Sequence, residues 1–441
     1  MLNKTETYAI LDRILAKCAK YYTIVGFGSS ESGLTRFANS QVHQNVANEN
    51  TGVSITMYDG RKVSSMSTNV YDDKSIDDAI AFVEENIRYA PEEEIQLPEI
   101  LEPLDISGET FDSKLSETYT IPKRVELIKQ GVDTLEPGFT AAGYISFGSG
   151  ITSMGNNRGV RRYRRGDSVS YEIVVTHESG ASGYAGFRSD KSKDLDFARE
   201  FAIAYDKSKT SIGAVSIEPG EYTVILENDP VADLIGYING GFSAKQIQKG
   251  ESFLTGKVGQ KVFGDNLTLT DEPDDENTVN YLYDGEGYAR TRLTMVENGV
   301  VKQVAYDIKS AMHDGVKTTG HASGNAAAGG FPGNIFMAPG NETMESLIKS
   351  TKKGIYVTRF HYTNWVDRKQ TVFTGLTRDG TYYIEDGEIR YPIKNLRFTQ
   401  SITAALNNIS GITSDRMRIN GSMQIPAVRI EHFHFTGKTE L

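Results

Sequence analysis

The sequence predicts an α+β protein: N-terminal α/β subdomains of mixed or antiparallel sheet with helices, followed by a β-rich C-terminal domain. Three observations carry this prediction. Glycine is abundant, at 43 residues, and separates runs rich in β-branched residues and in the 23 tyrosines and 19 phenylalanines, as expected of many strands joined by tight turns. A helix–strands–helix order occurs twice before residue 215, which suggests two α+β layouts of similar plan. Beyond Pro219-Gly220 the pattern is mostly alternating, with hairpin signals at Asn298-Gly299 and Asp386-Gly387.

The elements follow in order. Tyr8, Leu11, Ile14, Leu15 and Cys18 recur at helical spacing, so residues 5–19 should form a helix. YTIVGF, LTRFAN, VHQNVA and VSITMYDGRKVSSMST alternate as strands, with Asp59-Gly60 as a type I′ turn. Ile76, Ile80, Val83 and Ile87 make 73–89 a helix. Residues 90–120 are acidic and hold three prolines, so they read as a crossing linker. A helix over 122–135 opens on Pro122. Strands then run to about Phe187, and Leu195, Ala198, Phe201, Ala202 and Tyr205 mark a helix over 194–205. The expected division is 1–215, possibly two subdomains, and 216–441, where GEYTVILENDPVADLIGYI reads as a strand feeding a short helix.

Charge and cysteine content exclude several functions. The 441 residues carry 47 Lys+Arg against 58 Asp+Glu, a net charge of −11, which disfavours phosphate-backbone binding. RRYRR at 161–165 is the one basic cluster of note and reads as a solvated strand edge. A single cysteine, Cys18, allows neither an internal disulfide nor a Cys-based zinc cluster. The N-terminus lacks the apolar core and cleavage site of a signal peptide, and no run of about 18 apolar residues occurs. A cytoplasmic protein without membrane association is expected.

Candidate metal ligands are scattered. His177-Glu178 opens like an HExxH helix, but Ala181 stands where the second His belongs and Gly180 and Gly183 make the stretch a hairpin. His432 and His434, two apart on a strand, share a face and could supply two ligands. His313 and His321 flank a Gly-rich loop over 315–334 that, with Asp284 and Glu286, could form a mixed site. GESFLTGKV has the wrong spacing for a phosphate loop, and DEPDDEN (271–277) lacks an EF-hand's glycine and reads as a solvated loop.

Several blocks, in order, resemble the TldD/PmbA family, the "modulator of DNA gyrase" proteins. They are GFSAKQIQKGESFLTGKVGQKV (241–262), YDGEGYARTRLTMVENGVVKQVAYDIKSA (283–311), KTTGHASG (317–324), FPGNIFMAPG (331–340) and DGTYYIEDGEIRYPIKNLRF (379–398). The first half fits more loosely. The resemblance implies a metalloprotease-related protein that handles unfolded peptides. TldD-type members carry HExxxH on the helix after the first C-terminal strand, and a late Cys. Here the equivalent helix, DPVADLIGYI (229–238), has no His or Glu, and RINGSMQIP (418–426) has no Cys.

The resemblance therefore implies a PmbA/TldE-type subunit with no catalytic residue or metal of its own. Zinc is expected in a TldD-type partner, and the assembly would be with that paralogue or a homodimer. Asp284, Glu286, Arg290, Thr319, Gly320, His321 and Asn334 are the expected peptide-groove residues. The alternatives are an autonomous metallopeptidase using His313/His321 or His432/His434, and a non-enzymatic modulator of a DNA enzyme.

Overall fold

The computed structural model describes residues 2–100, 105–279, 282–323 and 328–439. Helix α1 (Lys4–Leu15) opens on a capping box: Asn3 accepts from the Glu6 N–H at 2.9 Å, and Glu6 accepts from the Asn3 N–H at 2.8 Å. Strands β1 (Tyr22–Ala38) and β2 (Gln41–Asp59) turn at Asn39 and Ser40, whose φ of 49° and 60° gives a two-residue hairpin loop. Strand β3 (Lys62–Thr68) follows after Gly60 and Arg61. Asp59 is still paired with Lys62, and only Gly60 has positive φ, the pattern of a type II′ turn rather than the expected I′. Helix α2 (Asp73–Asn86) is capped by Asp72.

The segment expected to be a linker contains structure. Residues 105–110 form β4 (Asp105–Thr110) and 113–118 form α3 (Ser113–Thr118); residues 101–104 lie outside the described part. DISGET has one large apolar side chain, so hydrophobic period could not reveal it. It is a strand because β6 offers it a free edge. Then come α4 (Ile121–Val132), β5 (Phe139–Asn156), β6 (Arg161–His177), β7 (Ser182–Ser189) and α5 (Phe197–Thr210). Helix α5 starts later than expected and leaves Ala198 and Ala202 exposed.

Both N-terminal layouts contribute to one sheet, ordered β3-β2-β1-β5-β6-β4, with β7 also on β6. Its apolar face packs under helices in two cores. Leu11, Ile14, Ile76 and Val83 cover Val25, Phe27 and Ile55, while Ile128, Phe197 and Phe201 cover Ile145, Tyr171 and Ile173. RRYRR is not a solvated edge. It lies between β5 and β4, with Arg162 1 % and Tyr163 0 % exposed. The Arg162 Nε donates to the Gly287 carbonyl at 2.8 Å, so this basic motif stitches the sheet to the second half.

The second half begins with β8 (Gly220–Leu226), α6 (Asn228–Asn239) and α7 (Ala244–Gln248), followed by β9 (Leu269–Asp271), β10 (Leu293–Glu297), β11 (Val300–Val301), α8 (Ile308–Asp314) and β12 (Ile335–Met337). After α9 (Met344–Lys349) come β13 (Lys353–Val357), β14 (Phe360–Asp367), β15 (Val372–Thr377), β16 (Thr381–Glu385), β17 (Glu388–Pro392) and β18 (Leu396–Ser401). The chain closes with α10 (Ile402–Asn407), β19 (Ile409–Ile412), β20 (Met417–Ile419), β21 (Met423–Ile425) and β22 (Val428–Lys438).

Among the described residues these strands form two sheets, β11-β10-β9-β12-β21-β20 and β14-β15-β18-β22-β8-β13-β16-β17 with β19 on β22. The expected turns at Asn298-Gly299 and Asp386-Gly387 are present, with positive φ at all four residues. One core joins both sheets around α6, which buries Val231, Leu234, Ile235 and Ile238. Among the described residues no helix is long and apolar enough to cross a membrane.

Candidate functional site

The core takes one side of α6, and the other side faces open space. Asp229, Asp233, Gly236, Tyr237 and Gly240 follow at helical spacing and line a cleft of about 740 Å³. The opposite wall is the start of β14, from Arg359 to Thr363, with Trp365. Tyr184 of the N-terminal sheet and Phe331 complete it. Trp365 stands edge-on to Tyr237, with ring centroids 5.0 Å apart. Tyr362 is 80 % exposed. Arg359 is held in place: its Nη1 donates to Asp379 at 2.6 Å, and its guanidinium lies 3.6 Å from the Tyr184 ring centre.

The two carboxylates are the chemical feature of the cleft. They stand one helical turn apart, and among the described residues neither accepts a hydrogen bond or pairs with a cation. Burial above all, with Glu227 and Glu200 nearby, lifts Asp229 to about 6. Burial and the neighbouring Asp229 lift Asp233 to about 7. His361 is pushed below its ordinary range by burial and by Arg378 and Arg359. Near neutral pH the pair is thus partly protonated. Arg359 acts on both carboxylates and Lys207 on Asp229, each favouring the ionised form, and a cationic group entering the cleft would favour full ionisation further.

Comparison with known proteins agrees with this architecture. Residues 219–437 match the PmbA/TldA metallopeptidase C-terminal domain, and residues 25–87 match PmbA/TldA metallopeptidase domain 1. The chain belongs to the PmbA/TldD family. A metalloprotease of Methanothermobacter thermautotrophicus is 30 % identical over 39 % of this chain and 38 % of its own length. The metalloprotease PmbA homologue of Haemophilus influenzae is 21 % identical over 92 % of this chain and 90 % of its own. TldE from Thermococcus kodakarensis superposes with a TM-score of 0.85 at 17 % identity, over 97 % of this chain and all of that one, a likeness of fold. The first three curated relatives are matched over only 38 %, 61 % and 56 % of their own length.

Zinc is the metal that this family's TldD-type members imply. Among the described residues no three His, Cys, Asp or Glu side chains are grouped to hold a metal ion, whereas a zinc site takes three or four such ligands. The donor set among the described residues does not fit a resident zinc, and the chemistry of the cleft is that of its carboxylates and rings.

The seven residues expected from sequence to line a groove lie elsewhere, and none of them lines this cleft. Three converge on Asp271, which is 0 % exposed at the end of β9. Its Oδ2 accepts from Arg290 Nη2 at 2.9 Å and from the Asn334 N–H at 3.3 Å, and His321 Nε2 is 3.5 Å away. The Gly333 N–H also donates to it. Thr319 joins through His321, whose Nδ1 is 2.8 Å from the Thr319 carbonyl. The Asn334 side chain donates to the Val279 carbonyl at 2.8 Å. Gly320 has φ +70°, and a Cβ there would stand 2.0 Å from the Ala289 carbonyl oxygen. Asp284 accepts three backbone N–H groups, from Glu286, Tyr288 and Ala322. Of the seven, Asp284 and Glu286 both line unfilled space, a cavity against the N-terminal sheet.

Sequence reasoning missed two sets of residues. DEPDDEN reads as a solvated loop, yet its first residue is the buried Asp271. On the α6 stretch the absence of His and Glu draws the eye, while its two aspartates at i and i+4 are the available signal. The histidines do not assemble. His177 accepts from or donates to Ser179 in the expected hairpin, His313 contacts Asp314, and His432, on a β-bulge with φ 58°, pairs with Glu221 at 2.6 Å. The Gly-rich loop expected over 315–334 lies partly outside the described residues, at 324–327.

Proposed function

We propose that the chain is a PmbA/TldE-like subunit that binds unfolded peptides and completes the chamber of a zinc-bearing TldD-type partner. The observation that carries this reading is the α6 stripe: the helix that would hold zinc presents instead two unpaired carboxylates to an aromatic cleft. Such a surface suits an extended chain bearing a positive charge, either its amino terminus or a basic side chain. Strand β14 ends the order of its sheet and forms the cleft wall, so its outer edge is free among the described strands. A peptide adding there would bond through its backbone with little sequence demand, while Trp365 and Tyr362 contact its side chains.

The test is reconstitution with a TldD-type paralogue. A stable complex at micromolar concentration and cleavage of an unstructured peptide by the pair, but not by this chain alone, are expected. Failure to form any complex would end the reading. About one equivalent of zinc in the tag-free isolated chain, together with cleavage by it, would favour an autonomous peptidase instead.

A further inference from the structure

Glu286 faces a second space, well away from α6. A cavity of about 280 Å³ lies between the helix-free face of the N-terminal sheet and the loop Tyr283–Tyr288. The sheet contributes Thr56 and Tyr58, and Tyr22 stands at the start of β1. Sites for drug-sized ligands run to about 300–1,000 Å³, so this one takes only a short chain.

Its polar groups are unevenly satisfied. Glu286 accepts one hydrogen bond, from the Ile308 N–H at 2.9 Å, and has no ion-pair partner among the described residues. The adjacent Lys309 pairs with Glu93 instead, at 2.8 Å. Burial above all, helped by Asp284 and Asp307, lifts the Glu286 carboxyl to about 7, with Lys309 opposing. Tyr22 accepts from the Ile100 N–H and from Asn156, and Tyr283 donates to the Thr152 carbonyl. The hydroxyls of Tyr58 and Tyr288 have no hydrogen-bond partner among the described residues. The Tyr22 and Tyr58 rings lie 5.4 Å apart at the wall. A carboxylate without a counter-ion and a wall of tyrosines together select a cation, because ring faces and carboxylate both attract positive charge and repel anions.

We propose that this cavity binds a primary ammonium group on a short alkyl chain, with Glu286 as counter-ion and the tyrosines as walls. The stem packs against Ile24 and Met154, which also line the space. The same chemistry is offered by a free alkylamine and by a lysine side chain on a peptide.

Calorimetric titration of the full chain near pH 8 separates these sources. The probes are n-butylammonium, N-acetyl-lysine methylamide and, as a neutral control, N-acetyl-norleucine methylamide. Binding of n-butylammonium with or without the lysine compound, and none of the norleucine compound, is expected; the lysine compound reports whether a peptide side chain is admitted. Glu286→Gln keeps an oxygen for the Ile308 N–H, so it should fold and bind about tenfold or more weakly. Thr56→Phe fills the cavity from the sheet and should abolish binding. The proposal is overturned if neither cation binds below about 10 mM, if the norleucine compound binds as tightly as n-butylammonium, or if the folded Glu286→Gln or Thr56→Phe protein binds n-butylammonium as wild type. No partner subunit is needed, so the outcome is independent of the peptidase assembly.

Discussion

Asp271 is fully buried and Asp233 is half-buried, and the fold treats the two carboxylates in opposite ways. Asp271 is enclosed by Arg290, His321 and the backbone of Gly333 and Asn334, and it ties together three loops. Asp233 has no partner among the described residues and stands beside a second acid in an open cleft. All of these bonds fall on Asp271 Oδ2, while its Oδ1 is buried without a hydrogen-bond partner among the described residues, so Asp271 is a structural device through one oxygen. A carboxylate with neither oxygen bonded, facing a cleft, has been left for something that arrives. The contrast separates residues that build the site from those that can meet a ligand.

The largest effect that would break this comparison concerns stability. Asp271→Ala removes the carboxylate from Arg290 and from two backbone donors at once, and should cost about 3–5 kcal/mol in urea unfolding. Asp233→Ala deprives nothing of a partner, and its cost should stay within about 1 kcal/mol. Equal losses in the two variants would show that Asp233 is also structural.

A second, smaller effect is in the pH dependence. Asp229 is lifted to about 6 and Asp233 to about 7, against about 3.9 in an unfolded chain. Between these values the folded chain holds protons that the unfolded chain has released. The stability tied to the pair is therefore fully present below about pH 4 and is lost as pH rises to about 7. Asp229→Asn/Asp233→Asn lacks this loss, so its stability relative to wild type should rise between about pH 5 and pH 8, by at most about 4 kcal/mol, the part of the two shifts that lies above about pH 5. Parallel pH curves for the two proteins would show that the cleft carboxylates do not carry the shift. Asp167 and Glu286, raised in the same direction, remain in both proteins and cancel.

Much of the fold was legible because it rests on local physics. The helices of the N-terminal half show apolar stripes, and Asn298-Gly299 and Asp386-Gly387 sit where φ must be positive. What was not legible depends on tertiary partners. DISGET becomes a strand only because β6 has an edge to offer, and RRYRR is covered only because β4 takes that edge. The site followed the same rule. The resemblance led to the region of the Asp271 hub, where most of the polar groups are already bonded to one another. The cleft acids sit on a helix whose pattern, Asp229 and Asp233 outward with Val231 and Leu234 inward, is ordinary amphipathicity until one sees that the outward side faces β14 and Tyr184 across a cleft.

The finest comparison is between peptides of different charge in the cleft. The chain has a single tryptophan, Trp365, and it lines the cleft against Tyr237. Its emission should therefore shift when an unfolded peptide enters, with no label added. A peptide with a free amino terminus or a lysine should titrate more tightly than its acetylated, lysine-free counterpart, because only the former restores charge balance to Asp229 and Asp233. Asp233→Asn should reduce that preference by about threefold to tenfold, in keeping with one charge-assisted hydrogen bond in a partly open site. Tyr362→Ala should weaken both peptides alike, since an exposed ring supplies contact area without regard to charge. An emission shift with no charge preference would leave the cleft as a peptide surface and remove the aspartates from its recognition. No shift with any peptide would place peptide binding elsewhere on the chain.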